Sequence, residues 1–295
     1  MASLKDIKNH IGSVRSTLKI TSAMKMVASA KLRKAQLSVE GMRPYEAALH
    51  RISVQLAGGV SAEGSLPAYP PRTLSSDGGG ERISPAVALV VLSSNSSLCG
   101  GFNANVIRAA RAAVAEIKAC GESVVVYSIG RKIEEAMRLD GYPAPGDYRQ
   151  IVGRTSYEQV SALATELVGL YQDGRVERVE LIYNHFVSTS TQKVVRETYL
   201  PFEMSAAEDV DDKTFIIEPD RETVLAELLP KVVRLKLYTV VLDSVASEHA
   251  ARTVAMQTAT ENGEELLQSL TLEYNKSRQQ KITSEILDLV GGSMQ

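Results

Sequence analysis

An α/β domain flanked by long N- and C-terminal helices that pair as an antiparallel coiled coil is the fold class the sequence predicts, and three observations predict it. Positions stepping by three and four, nearly all apolar, run from Leu4 to Met42 without a break. Sixty residues from Lys231 to Val290 contain no proline and a single glycine, Gly263. Between these ends, short β-branched runs alternate with helical stretches. Two long helices on either side of one small domain bury their seams most simply against each other, with the domain packed at their side. The segments expected are 1–57, a coiled-coil helix; 58–84, a flexible connector; 85–219, the α/β domain; and 220–295, the second coiled-coil helix.

The N-terminal seam runs through Leu4, Ile7, Ile11, Val14, Leu18, Thr21, Lys25, Ala28, Leu32, Ala35, Val39 and Met42, ten of the twelve being apolar. A heptad pattern held over more than five repeats predicts one helix from about residue 3 to 56. At 1.5 Å per residue it would be roughly 80 Å long, more than one small domain covers. Thr21 and Lys25 are the two polar seam positions, and such residues set register or face something other than the partner helix.

Residues 57–84 are rich in Gly, Ser and Pro and predict the connector. Beyond it, 86–92, 122–129 and 176–184 read as buried strands, and 103–120, 131–139 and 156–173 as helices. Strands alternating with helices predict a parallel sheet. Residues 194–200 and 214–219 are candidate further strands, and 204–213 reads as an acidic loop.

The C-terminal helix is expected over Lys231–Val290, roughly 90 Å long, with Pro230 marking its first turn or a kink after a short helix begun near Asp220. Ala246, Ala250, Ala251, Ala255 and Ala259 would let a second helix approach closely, and Gly291 and Gly292 end the pattern.

Composition sets bounds on function. The 295 residues are 44% hydrophobic and 23% charged with net charge −2, which excludes wholesale disorder, collagen and a disulfide miniprotein. No run is long and apolar enough for a membrane span, and MASLKDIKNH holds no apolar signal core, so a cytosolic chain is expected. Cys99 and Cys120 are too few for a disulfide framework and lack zinc-ligand spacing. Charge is uneven: residues 1–57 carry a net +7, 58–220 a net −7 and 221–295 a net −2. A basic first fifth on a near-neutral chain points to an acidic partner surface.

Catalytic signals are weak. SSNSSLCGGFNAN, residues 93–105, joins a predicted strand to a predicted helix, where phosphates often bind. It lacks the lysine of a P-loop and the GxGxxG spacing, and its plain reading is a tight turn with Asn103 capping the helix. Cys99 as a nucleophile needs a histidine; His10, His50 and His249 fall on the end helices, leaving His185 as the one candidate able to approach it. No metal-ligand spacing, HExxH or GxSxG occurs, so no metal, cofactor or catalytic residue is expected. Lysines and arginines of the first helix interleave with its seam instead of extending beyond it, so nucleic-acid binding is not expected. An α/β enzyme or nucleotide-binding protein whose end helices dimerise it stays open as the alternative, and nucleotide binding or turnover by the purified chain would favour it.

Five stretches bear a resemblance to a known family: TSAMKMVASAKLRKAQ (21–36), RPY (43–45), SLCGGFN (97–103), SEHAARTVAM (247–256) and ENGEELLQSLTLEYNKSRQQKITSEILDLVGG (261–292). They resemble the gamma subunit of F-type ATP synthases. The resemblance implies a Rossmann-like α/β domain beside the coiled coil. It also implies the role of a central rotor shaft, coupling ion flow through a membrane ring to conformational change at the catalytic beta subunits. The implied partners are the hexameric head of alpha and beta subunits, the epsilon subunit and the membrane rotor ring of c subunits. The implied location is peripheral, on the cytoplasmic face of the bacterial cell membrane.

Contact residues follow where motifs match. Met24 and Lys25 lie in the segment that faces an acidic lever loop of the beta subunit in the family, and Glu248 and Arg252 lie in the second matching stretch. Arg278 and Gln279 match residues that contact a beta-subunit loop. Ile282, Ile286, Leu287, Leu289 and Val290 would form the apolar tip turning in a hydrophobic sleeve. Two departures stand out: Asn95, Ser96 and Ser97 replace the family's usual acid, base and glycine before LCGG, and Glu261-Asn262-Gly263 replaces a more usual Asp-Asn pair. The connector carries no paired cysteines and so does not resemble the thiol-regulated insert of chloroplast members.

Overall fold

The computed structural model describes residues 3–58, 69–70, 86–202 and 217–292. The chain falls into two compact units: Met1–Ala30 with Arg252–Gln295, and Lys31–Ala251. Helices α1 (Leu4–Gly58) and α6 (Arg221–Gly292) contribute to both.

In the smaller unit, the seam positions of α1 from Leu4 to Ala28 are all buried or half-buried, and every other position from Ser3 to Ala30 is exposed except Met24. A capping box starts this helix. The Ser3 hydroxyl accepts the Asp6 N–H at 3.2 Å, while the Asp6 carboxylate accepts the Ser3 N–H at 3.3 Å. On α6 the facing positions are Thr260, Gly263, Leu267, Leu270, Tyr274 and Ser277, again three and four apart. Thr21 and Thr260 meet with their hydroxyls 3.0 Å apart, and a Cβ at Gly263 would lie 2.7 Å from Leu18 Cδ2. The pairing is antiparallel, and the polar seam residue Thr21 fixes its register with a matching hydroxyl.

The larger unit pairs the same two helices further along. Leu32 and Ala35 cluster with Ala246 and Ala250, Leu49 with Val232 and Leu235, and Leu56 with Leu225 and Leu229. Small alanines at the first of these clusters permit close approach, as their spacing in the sequence predicts. α6 begins where Asp220 accepts the Thr223 N–H and hydroxyl, both at 2.8 Å, an N-cap that settles the start near Asp220 and leaves Pro230 inside the helix.

A four-stranded sheet of order β2-β1-β3-β4 forms the rest: β1 (Ala86–Leu92), β2 (Val124–Ile129), β3 (Val176–Phe186) and β4 (Gln192–Leu200). Helices α2 (Phe102–Ala119) and α3 (Arg131–Leu139) cover one face. α5 (Tyr157–Gln172) covers the other together with Val233, Leu237, Val240 and Val241 of α6. β1 is therefore buried on both faces: Ala88, Val90 and Leu92 join the α5–α6 core and Leu89 and Val91 the α2–α3 core. A short α4 (Arg149–Gly153), absent from the sequence reading, precedes α5.

Two expectations need correction here. The sheet is mixed, because β4 runs antiparallel to β3. The five residues 187–191 between them are too few for the crossover of a dozen or more that parallel strands need. Residues 217–219 form no strand; 214–216, the acidic loop 204–213 and most of the connector lie outside the described residues.

Candidate functional site

The turn after β1 sits where a ligand would bind an open α/β sheet. β1 leads through α2 to β2 on one side, and the chain returns to β3 on the other, so the carboxyl ends of β1 and β3 flank the topological switch point. Here the turn's own side chains fill that position. Asn103 Oδ1 accepts the Ser94 N–H at 3.0 Å, and its Nδ2 donates to Ser94 Oγ at 2.8 Å and lies 3.1 Å from Cys99 Sγ. The reading of Asn103 as a helix cap is thus corrected: α2 has Gly101 at its N-cap with no side-chain bond, and Asn103 ties the turn instead. Asn95 accepts the Arg131 N–H at 2.9 Å and donates to the Arg149 carbonyl at 2.9 Å, binding the turn to α3 and α4.

Backbone geometry supports the same tight turn. Gly130 adopts φ +102, and a Cβ there would stand 2.3 Å from the Ser93 carbonyl oxygen, so only glycine fits. Leu98 is the one non-glycine residue of positive φ among the described residues, at φ 67, and it is 58% exposed.

No Cys–His pair forms. Cys99 is buried among Ser94, Ser96 and Asn103, whereas His185 lies within β3 and places Nδ1 2.6 Å from Asp243 Oδ2 on α6. The other Asp243 oxygen accepts the Phe186 N–H at 3.2 Å. His185 therefore docks α6 against the sheet. Among the described residues no group of three His, Cys, Asp or Glu could hold a metal ion, and no helix is long and apolar enough to cross a membrane.

A charge chain crosses the sheet face under α2. Arg178 makes a bidentate pair with Glu122, both bonds 2.7 Å, and reaches Glu180 at 2.8 Å; Arg196 reaches Glu180 at 2.7 Å and also pairs with Glu116. Burial alone would raise the Glu180 pKa, but the Arg196 and Arg178 guanidiniums outweigh it and hold the carboxyl below its ordinary 4.5.

The residues proposed from the sequence as contacts fall in different environments. Met24 and Lys25 are half-buried on α1, and no carboxylate pairs with Lys25 among the described residues. Glu248 is buried, 6% exposed, which leaves little of it for another chain; Arg252 is half-buried. Arg278 and Gln279 are exposed, as are Ile282, Ile286, Leu287, Leu289 and Val290. Carrying the Leu18–Gly263 and Thr21–Thr260 register onward sets Leu4, the first residue of α1, opposite Ser277. The fifteen residues 278–292 of α6 therefore continue, by about 22 Å, past the end of their helix partner.

The sequence reading also missed a patch. Ile20, Met26 and Val27 are 57–65% exposed on α1, off the seam. Their signal was legible, since apolar residues outside an already complete heptad seam have no intrachain position to fill.

Comparison with known proteins decides the family. The ATP synthase family model matches residues 3–294. The ATP synthase gamma chain of Phocaeicola vulgatus is 49% identical, with all of both chains covered, and that of Bacteroides fragilis 48%, likewise over all of both.

The chain belongs to the ATP synthase gamma-chain family.

Solved structures agree on the fold. A chain of the Euglena gracilis mitochondrial ATP synthase superimposes with a TM-score of 0.62 at 18% identity, covering 99% of this chain and 93% of that one. A chain of the Tetrahymena thermophila central stalk and c-ring gives 0.56 at 20% identity, covering 81% and 99%. Gamma chains are non-catalytic stalk subunits, so the alternative of an α/β enzyme with a dimerising coil falls.

Proposed function

We propose that this chain is the central rotor shaft of an F-type ATP synthase, turning inside a head of alpha and beta subunits and coupled at its other end to an epsilon subunit and a ring of c subunits. The complex places it peripherally, on the cytoplasmic face of a bacterial membrane. One observation carries the reading. Helix α6 outruns α1, and from Arg278 onward its described side chains are exposed, five large apolar ones among them. A two-sided apolar helix end is stable in water only when something else surrounds it, and a sleeve of neighbouring subunits supplies that surface.

A shaft acts on three chemically identical catalytic subunits only by touching them differently. A symmetric rod offers each the same contact free energy and shifts none of their equilibria. A single helix end, with Arg278 and Gln279 on its surface, offers one subunit a contact the others lack. An arginine–carboxylate hydrogen bond contributes about 1.5–3 kcal/mol, which is a bias of roughly tenfold to a hundredfold in which subunit is open. Lys25, a seam charge with no carboxylate partner among the described residues and on a segment of net +7, acts in the same way against an acidic lever.

The test is turnover by the assembled complex. With Arg278→Ala and Gln279→Ala together, ATP hydrolysis slows about tenfold while subunit composition and the helical signal stay as in the wild type. Wild-type turnover in a correctly assembled complex would remove both residues from the contact set.

A further inference from the structure

Helix α6 is packed on the sheet by Val233, Leu237, Val240 and Val241. Apolar packing of this kind holds two elements together but has no direction of its own, whereas a hydrogen bond fixes both a distance and an angle. Where the directional contacts lie therefore decides how firmly α6 is held against turning and sliding on the sheet.

The antiparallel pair β3–β4 supplies four such contacts to α6. Tyr199 Oη donates to the Val233 carbonyl at 2.9 Å. Glu197 Oε1 lies 3.3 Å from Lys236 Nζ, and the same carboxylate accepts from Tyr183 Oη at 3.4 Å. Asp243 is gripped through both oxygens by successive residues of β3: Oδ2 lies 2.6 Å from His185 Nδ1, and Oδ1 accepts the Phe186 N–H at 3.2 Å. The contacts at the two ends are closed to water, Tyr199 being 1% and Asp243 8% exposed. There a hydrogen bond is stronger than in water, and losing it leaves a costly buried group. The middle pair, with side chains 35% and 29% exposed, adds little.

Val233, Lys236 and Asp243 are spaced by three and seven, which puts them on one face of α6. From first to last they cover about 15 Å of helix. Two directional anchors that far apart resist rotation of α6 about its axis as well as sliding along it, where a single anchor would leave a pivot.

We infer that the β3–β4 pair is the key that transmits torque between the α/β domain and helix α6, with Tyr199 and Asp243 as its positioning residues. The inference rests on the rotor reading above and adds where within the chain the torque passes. Neither residue belongs to the contact set at the helix end, so loosening them softens the shaft without changing the chemistry it controls.

The experiment uses the complete chain assembled with alpha and beta subunits, the head fixed to a surface. A bead is attached through Cys120, the exposed cysteine at the end of α2, in a complex with no other reactive cysteine. With the helix end held in the head, the bead's angular fluctuation during a catalytic pause reports the stiffness of the path from the α/β domain to α6. Tyr199→Phe combined with Asp243→Asn widens that fluctuation, and each alone widens it less. Asp243→Asn keeps the volume and one acceptor oxygen, and Tyr199→Phe loses only a hydroxyl, so the single variants decide the matter should the double variant assemble poorly. ATP turnover without load stays at the wild-type rate in all three. Ile133→Val, which thins the α2–α3 core on the far face of the sheet, lowers the melting temperature and leaves the fluctuation unchanged, which separates torque transmission from stability. The inference is overturned if the Tyr199 and Asp243 variants fluctuate as the wild type does, or if Ile133→Val widens the fluctuation as much as they do. A wild-type bead that never turns when ATP is added to the assembled complex overturns the rotor reading and this inference with it; a turning bead whose stiffness ignores both residues overturns this inference alone.

Discussion

The sheet of the larger unit and the helix pair of the smaller one are built on opposite economies of burial. β1 has both faces covered, with Val87 through Leu92 fully buried, and Glu180 is locked by two arginines. The helix pair has one narrow seam in each helix, and beyond Ser277 α6 has no facing helix among the described residues. The sheet unit carries within itself what holds it together. The helix pair leaves Ile20, Met26 and Val27 outside, and its free end adds Ile282, Ile286 and Leu287. Apolar area of that kind contributes roughly 25 cal/mol per Å² once something covers it, so covering these side chains would add stabilisation that the seam alone does not supply. The difference separates a region that is closed on itself from one that leaves apolar surface uncovered.

The comparison breaks most readily at the turn that shapes the sheet's edge. Gly130→Ala sets a Cβ 2.3 Å from the Ser93 carbonyl at a φ that L-residues avoid. Chemical denaturation should show a loss of about 3 kcal/mol or more in the sheet unit; a loss under about 0.5 kcal/mol would mean that the turn relaxes freely.

A pH titration sharpens it next. Glu180 has a folded pKa held below 4.5, so its contribution is complete above the unfolded value and is lost as pH falls through the folded one. Glu122, lowered by its Arg178 hydrogen bonds, acts in the same direction. Sheet-unit stability should therefore be level near neutrality and decline below about pH 4.5. Glu180→Ala, which removes the carboxylate that Arg178 and Arg196 share but leaves them their Glu122 and Glu116 partners, should cost about 1–3 kcal/mol at pH 7 and flatten that decline. An equally steep acid decline in the variant would show that the protons bind elsewhere.

The smallest effect belongs to the helix end. Ile286→Ala in the isolated chain should change the melting free energy by less than about 0.5 kcal/mol, since the side chain is 54% exposed, while lowering the affinity of the chain for the head. A core-like cost in the isolated chain would mean that Ile286 already has an intrachain partner.

Sequence carried much of this, for reasons that differ by element. The α1 seam was readable position by position, because a heptad pattern names its buried residues directly, and Thr21 proved to be a register device through Thr260. β1 was readable as a continuous apolar run, the mark of a strand buried on both faces, and β2 and β3 by their β-branched and aromatic residues. The direction of β4 was missed although the brevity of 187–191 implied it, and α4 was missed because five residues carry no periodicity. Among contact candidates, Arg278, Gln279 and the apolar tip came from motif resemblance and fall on exposed surface. The burial of Glu248 was not readable, because carboxylates are seldom buried and nothing local marks one that is. The tie made by Asn103 joins residues nine apart and exists only once the turn has formed.

Native-state hydrogen exchange tests the central claim most directly, measured on the isolated chain and again within the assembled complex. In the isolated chain, amides of β1 and β3 should exchange only through global unfolding, those of 4–30 and 252–277 markedly faster, and those of 278–292 close to the unprotected rate. Assembly should slow the last two groups by orders of magnitude and leave the strands unchanged. Protection along 278–292 equal to that of β1 in the isolated chain would contradict the account, since the helix end would then be stable without anything around it.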